Sequence, residues 1–353
     1  MKSYAVTQET SLETKYDFDD ITIVPETLST VNSRKEVLPY ITIGDNEFLP
    51  LMTSPMDTVI GESNFEIFAD NDILLCLPRT IYGNTLQSNW PNAFPSISLD
   101  EAEELLKQET RPFMTYFCID MANGHMIRLF ETLRQLNIIR PDIHFIVGNI
   151  ANPNTYKILG ELNNVWGVRV GIGGGGACTT SANVAIHYPM ASLISECYTI
   201  KETYGLETKI IADGGMRKYS DIIKALALGA DIVMIGSLFN KTLQSSSETY
   251  LWKLFKVSGK VERWLFDRKF SLYKKFRGMS TKEVQRSWGK EKLTTSEGVV
   301  KWNKVMYDLP KWVENFTDYL KSAMSYTSSK TLEEFKSSEK IIISASAYKR
   351  FSK

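Results

Sequence analysis

The chain has 353 residues, room for one α/β barrel or two average domains, and its 41 Lys plus Arg balance 41 Asp plus Glu to a formal net charge of zero. That balance argues against nucleic acid or an anionic membrane as partner, while 43% hydrophobic and 23% charged residues is the composition of a globular protein with a large core. With no apolar run long enough to span a bilayer, no apolar segment in MKSYAVTQETSLETKYD, and four cysteines (Cys76, Cys118, Cys178, Cys197) lacking C-x-x-C spacing, the expectation is a cytoplasmic protein with free thiols.

From residue 48 the chain alternates short apolar runs with amphipathic stretches. The runs are LPLMTSPM (49–56), DILLCLP (72–78), PSIS (95–98), TYFCID (115–120), HFIVGN (144–149), VWGVRVGIG (165–173), KIIADGG (209–215) and DIVMIGS (231–237). Continuous apolar runs of this length, separated by helical patterns, read as parallel strands buried on both faces. The helical stretches are LDEAEELLKQE, MIRLFETLRQL, NTYKILGELNN, MASLISECYTIKETYG and SDIIKALALG. In the second, Ile127, Phe130, Leu133 and Leu136 suggest the buried face, and Ser220 and Gly229 read as caps of the last. Eight βα units predict a (β/α)8 TIM barrel with strands over 48–240; a doubly wound sheet, the rival, lacks G-x-G-x-x-G after its first strand. Residues 241–310 show little periodicity and read as a flap region, with five aromatics between 250 and 270 (Trp252, Phe255, Trp264, Phe266, Phe270) that favour packing. Residues 311–353, opening with WVENFTDYLKSAMSY, read as a closing helix and tail within the same single domain.

Barrel active sites form at strand C-termini, and here those ends are polar or glycine-rich. Gly171-Ile-Gly-Gly-Gly-Gly-Ala-Cys178 frees backbone N–H and C=O groups for a ligand or ion and ends in a thiol that such a loop could expose as a nucleophile; a flexible surface turn is the bland alternative. Asp213-Gly-Gly215 and Gly236-Ser237, at adjacent strand ends, suit a ribose diol and a phosphate; either alone reads better as a solvated turn, and together they favour a nucleotide. In Asp120-Met-Ala-Asn-Gly-His125, the carboxylate could take a ribose hydroxyl and the glycine could admit a flat ring. His125, His144 and His187 are not at zinc-ligand spacing, so capping roles suit them better. Arg34, Arg79 and Arg217 are candidate phosphate partners against a default of surface arginine.

These stretches together resemble the IMP dehydrogenase/GMP reductase family over nearly the whole chain. The resemblance is carried, in order, by DFDDITIVP (17–25), NSRKEV (32–37), SPMDTV (54–59), CIDMANGH (118–125), GNI (148–150), VGIGGGGACTT (170–180), YPMASLISEC (188–197), IIADGG (210–215), ALALGADIVMIGS (225–237), FRGMS (276–280) and SEG (296–298). It implies a TIM barrel and a covalent mechanism in which Cys178 attacks C2 of a purine, with Thr180 and Glu297 as proton-transfer partners. It further implies that Asp213 holds the ribose hydroxyls, that Gly215, Gly236 and Ser237 hold phosphate, and that Met56, Asn149, Gly278 and Met279 contact the purine. Asp120, Ala122, Asn123 and Gly124 would approach a nicotinamide nucleotide. The carbonyls of Gly173, Gly175 and Cys178 would hold a monovalent cation, K+ by the family's pattern, and the assembly would be a homotetramer.

Between the family's two activities, several features favour reductive deamination of GMP to IMP with NADPH. No regulatory insertion separates LCLP from PSIS, Arg286 precedes Ser287 where the dehydrogenases carry Arg-Tyr, and CIDMANGH and SEG look reductase-like. SPMDTV and MIGSL look more like an IMP dehydrogenase, which would oxidise IMP to XMP with NAD, so that activity is the alternative. A catalytically silent purine-nucleotide-binding homologue is the second. Four positions depart from the family pattern: Gly176 replaces a serine, Phe276 a tyrosine, Ser181 an arginine and Met190 a glutamine. The first two remove phosphate-binding hydroxyls, predicting weaker or rearranged phosphate recognition, with cations from 217–218 or 268–275 as replacements.

Overall fold

The computed structural model describes residues 12–79, 92–107, 115–278, 281 and 298–351. An N-terminal arm carries β1 (Ile21–Ile23), followed by a hairpin of β2 (Ile41–Ile43) and β3 (Asn46–Phe48). Eight parallel strands then make the barrel: β4 (Leu51–Thr53), β5 (Leu75–Leu77), β6 (Ala93–Ile97), β7 (Tyr116–Asp120), β8 (His144–Ile150), β9 (Val165–Val170), β10 (Lys209–Asp213) and β11 (Ile232–Ile235). Each pairs with its sequence neighbour, β4 also pairs with β11, and a parallel bridge between Met52 and Leu74 closes the ring.

The continuous apolar runs have a simple cause: successive side chains point to opposite faces, and both faces are covered. Met52, Leu74, Cys76, Phe94, Cys118, Ile146, Ile211, Ile232 and Met234 fill the barrel interior, with Phe48 of the hairpin in the same cluster. Their neighbours Leu51, Leu75, Phe117, Phe145, Val147, Ile210, Val233 and Ile235 pack outward with the helices.

Two helix details differ from expectation. In Ile127–Ile139 the buried stripe is Leu129, Thr132, Leu133 and Leu136, whereas Ile127 is 74% exposed; the helix turns its i, i+3, i+4, i+7 face inward. The Tyr219–Ala227 helix begins before Ser220, which therefore caps nothing, and Asp221 Oδ2 instead accepts from the Arg217 amide at 2.8 Å.

After β11 the chain leaves the barrel. Four antiparallel strands, β12 (Thr249–Leu251), β13 (Phe255–Val257), β14 (Leu272–Arg277) and β15 (Val300–Lys304), form a separate sheet in the order β13-β12-β14-β15, with a helix over Gly259–Asp267. Among its described residues, the stretch expected to be irregular is thus largely regular. Its period escaped notice because Lys274 takes an inward position of β14, between Leu272 and Phe276, and breaks the apolar alternation. Its ammonium donates to the carbonyls of Leu243 and Ser245, both at 2.7 Å, and burial pushes its pKa down to about 8. The aromatics behave unevenly: Phe266 packs beside Leu265 and Leu272, but Trp252, Phe255, Trp264 and Phe270 stay exposed.

The Leu309–Tyr326 helix then returns to the barrel wall, burying Leu309, Trp312, Val313, Phe316, Leu320 and Met324 on one stripe. Trp312 stacks on Phe316 and meets Phe239 edge-on. Finally β16 (Lys340–Ile342) pairs antiparallel with β1, zipping tail to arm. No helix among the described residues is long and apolar enough to cross a membrane.

Candidate active site

A cavity of about 550 Å³ opens at the C-terminal ends of the barrel strands. Its walls come from the segments that follow β4, β7, β9, β10 and β11, with β14 of the outer sheet on one side. The glycine loop after β9 supplies its thiol. Gly171 opens this loop at φ +129°, and a Cβ there would meet the Asp213 carbonyl at 2.2 Å, so only glycine lets the loop leave the strand beside β10. Further along, the Cys178 amide donates to Gly175 O at 2.9 Å and the Val299 amide to Ala177 O at 3.0 Å, while Cys178 bridges to Gly298. The half-buried Cys178 is therefore pinned from both sides, and its Sγ donates to Thr180 Oγ1 at 3.2 Å. The other three cysteines are buried, and burial pushes the Cys197 thiol far up. Among the described residues, Cys178 is the only cysteine with solvent access to this cavity.

The opposite wall is a charged network that one arginine holds together. Arg169, on β9, donates to Asp120 Oδ1 at 2.6 Å and to Asp213 Oδ2 at 2.8 Å, with side-chain exposures of 7%, 14% and 14% for the three. Burial works against its charge, but the Asp213 and Asp120 carboxylates outweigh it and hold the guanidinium well above the ordinary arginine value. Asn149 Nδ2 bonds the same Asp213 oxygen at 2.7 Å and Gly171 O at 2.8 Å, and Arg79 donates to the Asp120 carbonyl. Asp213 is thus fixed in orientation by two donors on Oδ2.

Most of the predicted site converges here. Met56, Asp120, Ala122, Asn149, Gly173, Gly175, Cys178, Thr180, Asp213, Gly215, Gly236, Ser237 and Gly278 all line the cavity. Asn123 and Gly124 do not: Asn123 Oδ1 caps the His125 amide at 3.1 Å, and Gly124 packs against the Asn149 carbonyl, supporting the wall from behind. Met279 and Glu297 lie outside the described residues. Of the carbonyls assigned to a cation, Gly173 O accepts from Ser181 Oγ at 3.1 Å and Gly175 O from Cys178 N, each keeping a second lone pair.

His125 bonds Thr155 and the Ala151 amide, His187 bonds Ile172 O, and His144 stacks on Tyr116. The candidate phosphate cations divide. Arg79 reaches the cavity, but Arg217 pairs with Asp19 at 2.9 Å, Lys218 bonds Tyr348, Arg268 lies over Trp264, Lys274 is buried between carbonyls and Lys275 lies over Trp302. The residue that sequence reasoning passed over is Arg169. Its signal was present: a lone arginine inside VWGVRVGIG, a run otherwise buried, requires a carboxylate partner.

A parallel barrel with a pinned thiol, a braced carboxylate and glycine-edged loops at its C-terminal mouth defines the class: a (β/α)8-barrel enzyme. The model of the IMP dehydrogenase/GMP reductase domain matches residues 99–352, and the chain belongs to that family. It is 28% identical over 347 residues to a GMP reductase of Helicobacter pylori, covering 94% of this chain and 97% of that one. It is 32% identical over 250 residues to a GMP reductase of Bacillus subtilis, covering 67% and 74%, and 27% identical over 350 residues to one of Staphylococcus carnosus, covering 94% and 98%.

Proposed function

We propose that the protein is a GMP reductase that converts GMP to IMP with NADPH through a covalent bond between Cys178 Sγ and purine C2. The observation that carries this reading is the joint placement, in one cavity, of the Cys178–Thr180 pair at 3.2 Å and the carboxylate of Asp213, fixed by Arg169 and Asn149. Three relatives of the same name, matched at 27–32% identity, point the same way.

In this reading Asp213 binds the ribose hydroxyls through the oxygen turned from Arg169, and Gly215, Gly236 and Ser237 receive the phosphate. Met56 and Gly278 bound the purine, so C2 lies against Sγ. The Cys178 thiol proton passes to Thr180 Oγ1 as sulfur adds to C2, and the hydroxyl returns a proton to the 2-amino group, which leaves as ammonia. Glu297 is the partner assigned to Thr180 by the family resemblance. NADPH, when bound along Asp120–Ala122, supplies hydride to C2. With one proton, the C2–S bond then breaks to release IMP and regenerate the thiol, so one GMP, one NADPH and one proton give IMP, NADP+ and ammonia. The lone pairs left on the carbonyls of Gly173, Gly175 and Cys178 suit a monovalent cation such as K+, which would stiffen the loop around the thiol. The subunits are proposed to assemble as a homotetramer.

The test pairs two incubations followed at the nicotinamide absorbance, GMP with NADPH and IMP with NAD. Oxidation of NADPH with release of ammonia is expected. Reduction of NAD with IMP would make it a dehydrogenase, and binding of GMP without turnover would make it a silent homologue.

A further inference from the structure

The two hydroxyl positions missing from the glycine loop and the outer sheet, Gly176 and Phe276, have one cationic neighbour in common. A Cβ at Gly176 would stand 3.1 Å from Lys301 Nζ and 3.6 Å from Ser237 Oγ. Lys301 lies on β15 directly opposite Phe276 of β14, and its Nζ is 5.5 Å from the centre of that ring. Gly176, Ser237 and Phe276 all line the cavity, so the ammonium stands against its wall at the end that holds Gly236 and Ser237. Among the described residues no carboxylate pairs with Lys301. Burial first, and then the positive charge of Lys241, lower its pKa, the mark of a half-buried cation lacking a counter-charge.

We infer that Lys301 is the phosphate anchor of this site, an ammonium standing where hydroxyls on residues 176 and 276 would otherwise reach, so that the 5′-phosphate is read by charge. The inference rests on the nucleotide reading above and names a residue outside those assigned to phosphate on sequence grounds. A lysine is a point charge with three donors, able to serve several phosphate oxygens at once where a hydroxyl offers one hydrogen. The absence of a side chain at Gly176 is what makes room, because a Cβ there would crowd Nζ. Lys301 and a serine at 176 are therefore alternative solutions to one recognition problem. Lys241 adds positive potential behind it.

The experiment is calorimetric titration of the full chain and of Lys301→Gln and Lys301→Arg with GMP, guanosine and inorganic phosphate. Lys301→Gln is expected to weaken GMP by about 10- to 100-fold while leaving guanosine unchanged, and Lys301→Arg to stay within a few-fold of the parent. Unchanged guanosine affinity also shows that the variant is folded. GMP bound equally by parent and Lys301→Gln overturns the anchor but leaves the reductase reading intact. Conversely, phosphate or GMP bound by the parent and lost in Lys301→Gln upholds the anchor even if no turnover is found. A parent that binds neither GMP nor phosphate overturns both.

Discussion

Replacing Arg169 by methionine tests how the charged wall of the site is held. The guanidinium is the shared partner of two carboxylates, at 2.6 Å from Asp120 and 2.8 Å from Asp213, and all three side chains are at most 14% exposed. Methionine keeps much of the volume but takes the shared cation from two carboxylates in a wall from which water is largely excluded. Removing one partner of a buried pair costs about 3–5 kcal/mol, because the remaining charge loses its compensation. The lower and middle part of that range, about 3–4.5 kcal/mol, applies here, since Asp213 loses its cation while Asp120 keeps Arg79 at 3.9 Å. With a urea dependence of roughly 3 kcal/mol per molar, the unfolding midpoint should fall by about 1–1.5 M at fixed protein concentration. Arg169→Lys, able to meet only one carboxylate at a time, should lose about half as much. Adding Asp213→Asn to Arg169→Met should recover at least about 1.5 kcal/mol, because one stranded charge is gone. A midpoint for Arg169→Met within about 0.3 M of the parent, or an Asp213→Asn change that merely adds to the loss, would refute the reasoning.

Two other substitutions probe the loop and the outer sheet. Gly171→Ala sets a Cβ 2.2 Å from the Asp213 carbonyl at φ +129°, so it should destabilise by at least about 3 kcal/mol, whereas Gly205→Ala, at φ +61° with open space around it, should cost only about 1 kcal/mol; equal thermal midpoints for the two would contradict this. Lys274 is lowered from 10.5 to about 8 by burial, so between those values the unfolded chain binds the proton more tightly and stability rises with pH. The difference in unfolding free energy between parent and Lys274→Met should therefore grow by about 3 kcal/mol in favour of the parent from pH 7.5 to 10.5; parallel pH profiles would show that burial does not lower the pKa of this lysine.

The barrel was legible because its strands are buried on both faces, which writes each one as an unbroken apolar run ending in polar or glycine residues. DIVMIGS and KIIADGG could each be read as a strand, but only the two together, at adjacent strand ends, pointed to a site. The outer sheet was not, because its strands are short and Lys274 occupies a core position whose partners are backbone carbonyls distant in sequence. Cys178 and Asp213 were singled out by their strand-end position, and both line the cavity. Arg169 did not, because its role depends on Asp120 and Asp213, 49 and 44 residues away in the chain. Lys301 is a similar case: nothing in VKWNK marks a lysine that reaches Gly176 until β15 is set beside the glycine loop. The helix details failed for local reasons, since Ser220 resembles a cap only if the helix starts two residues later than it does.

The most direct measurement follows the hydrogen itself. Reacting the protein with GMP and NADPH deuterated at C4 of the reduced ring should give IMP carrying deuterium at C2, one ammonia per IMP, and neither product from Cys178→Ala. Ammonia released without deuterium at C2, or undiminished turnover by Cys178→Ala, would contradict hydride transfer through a Cys178 adduct.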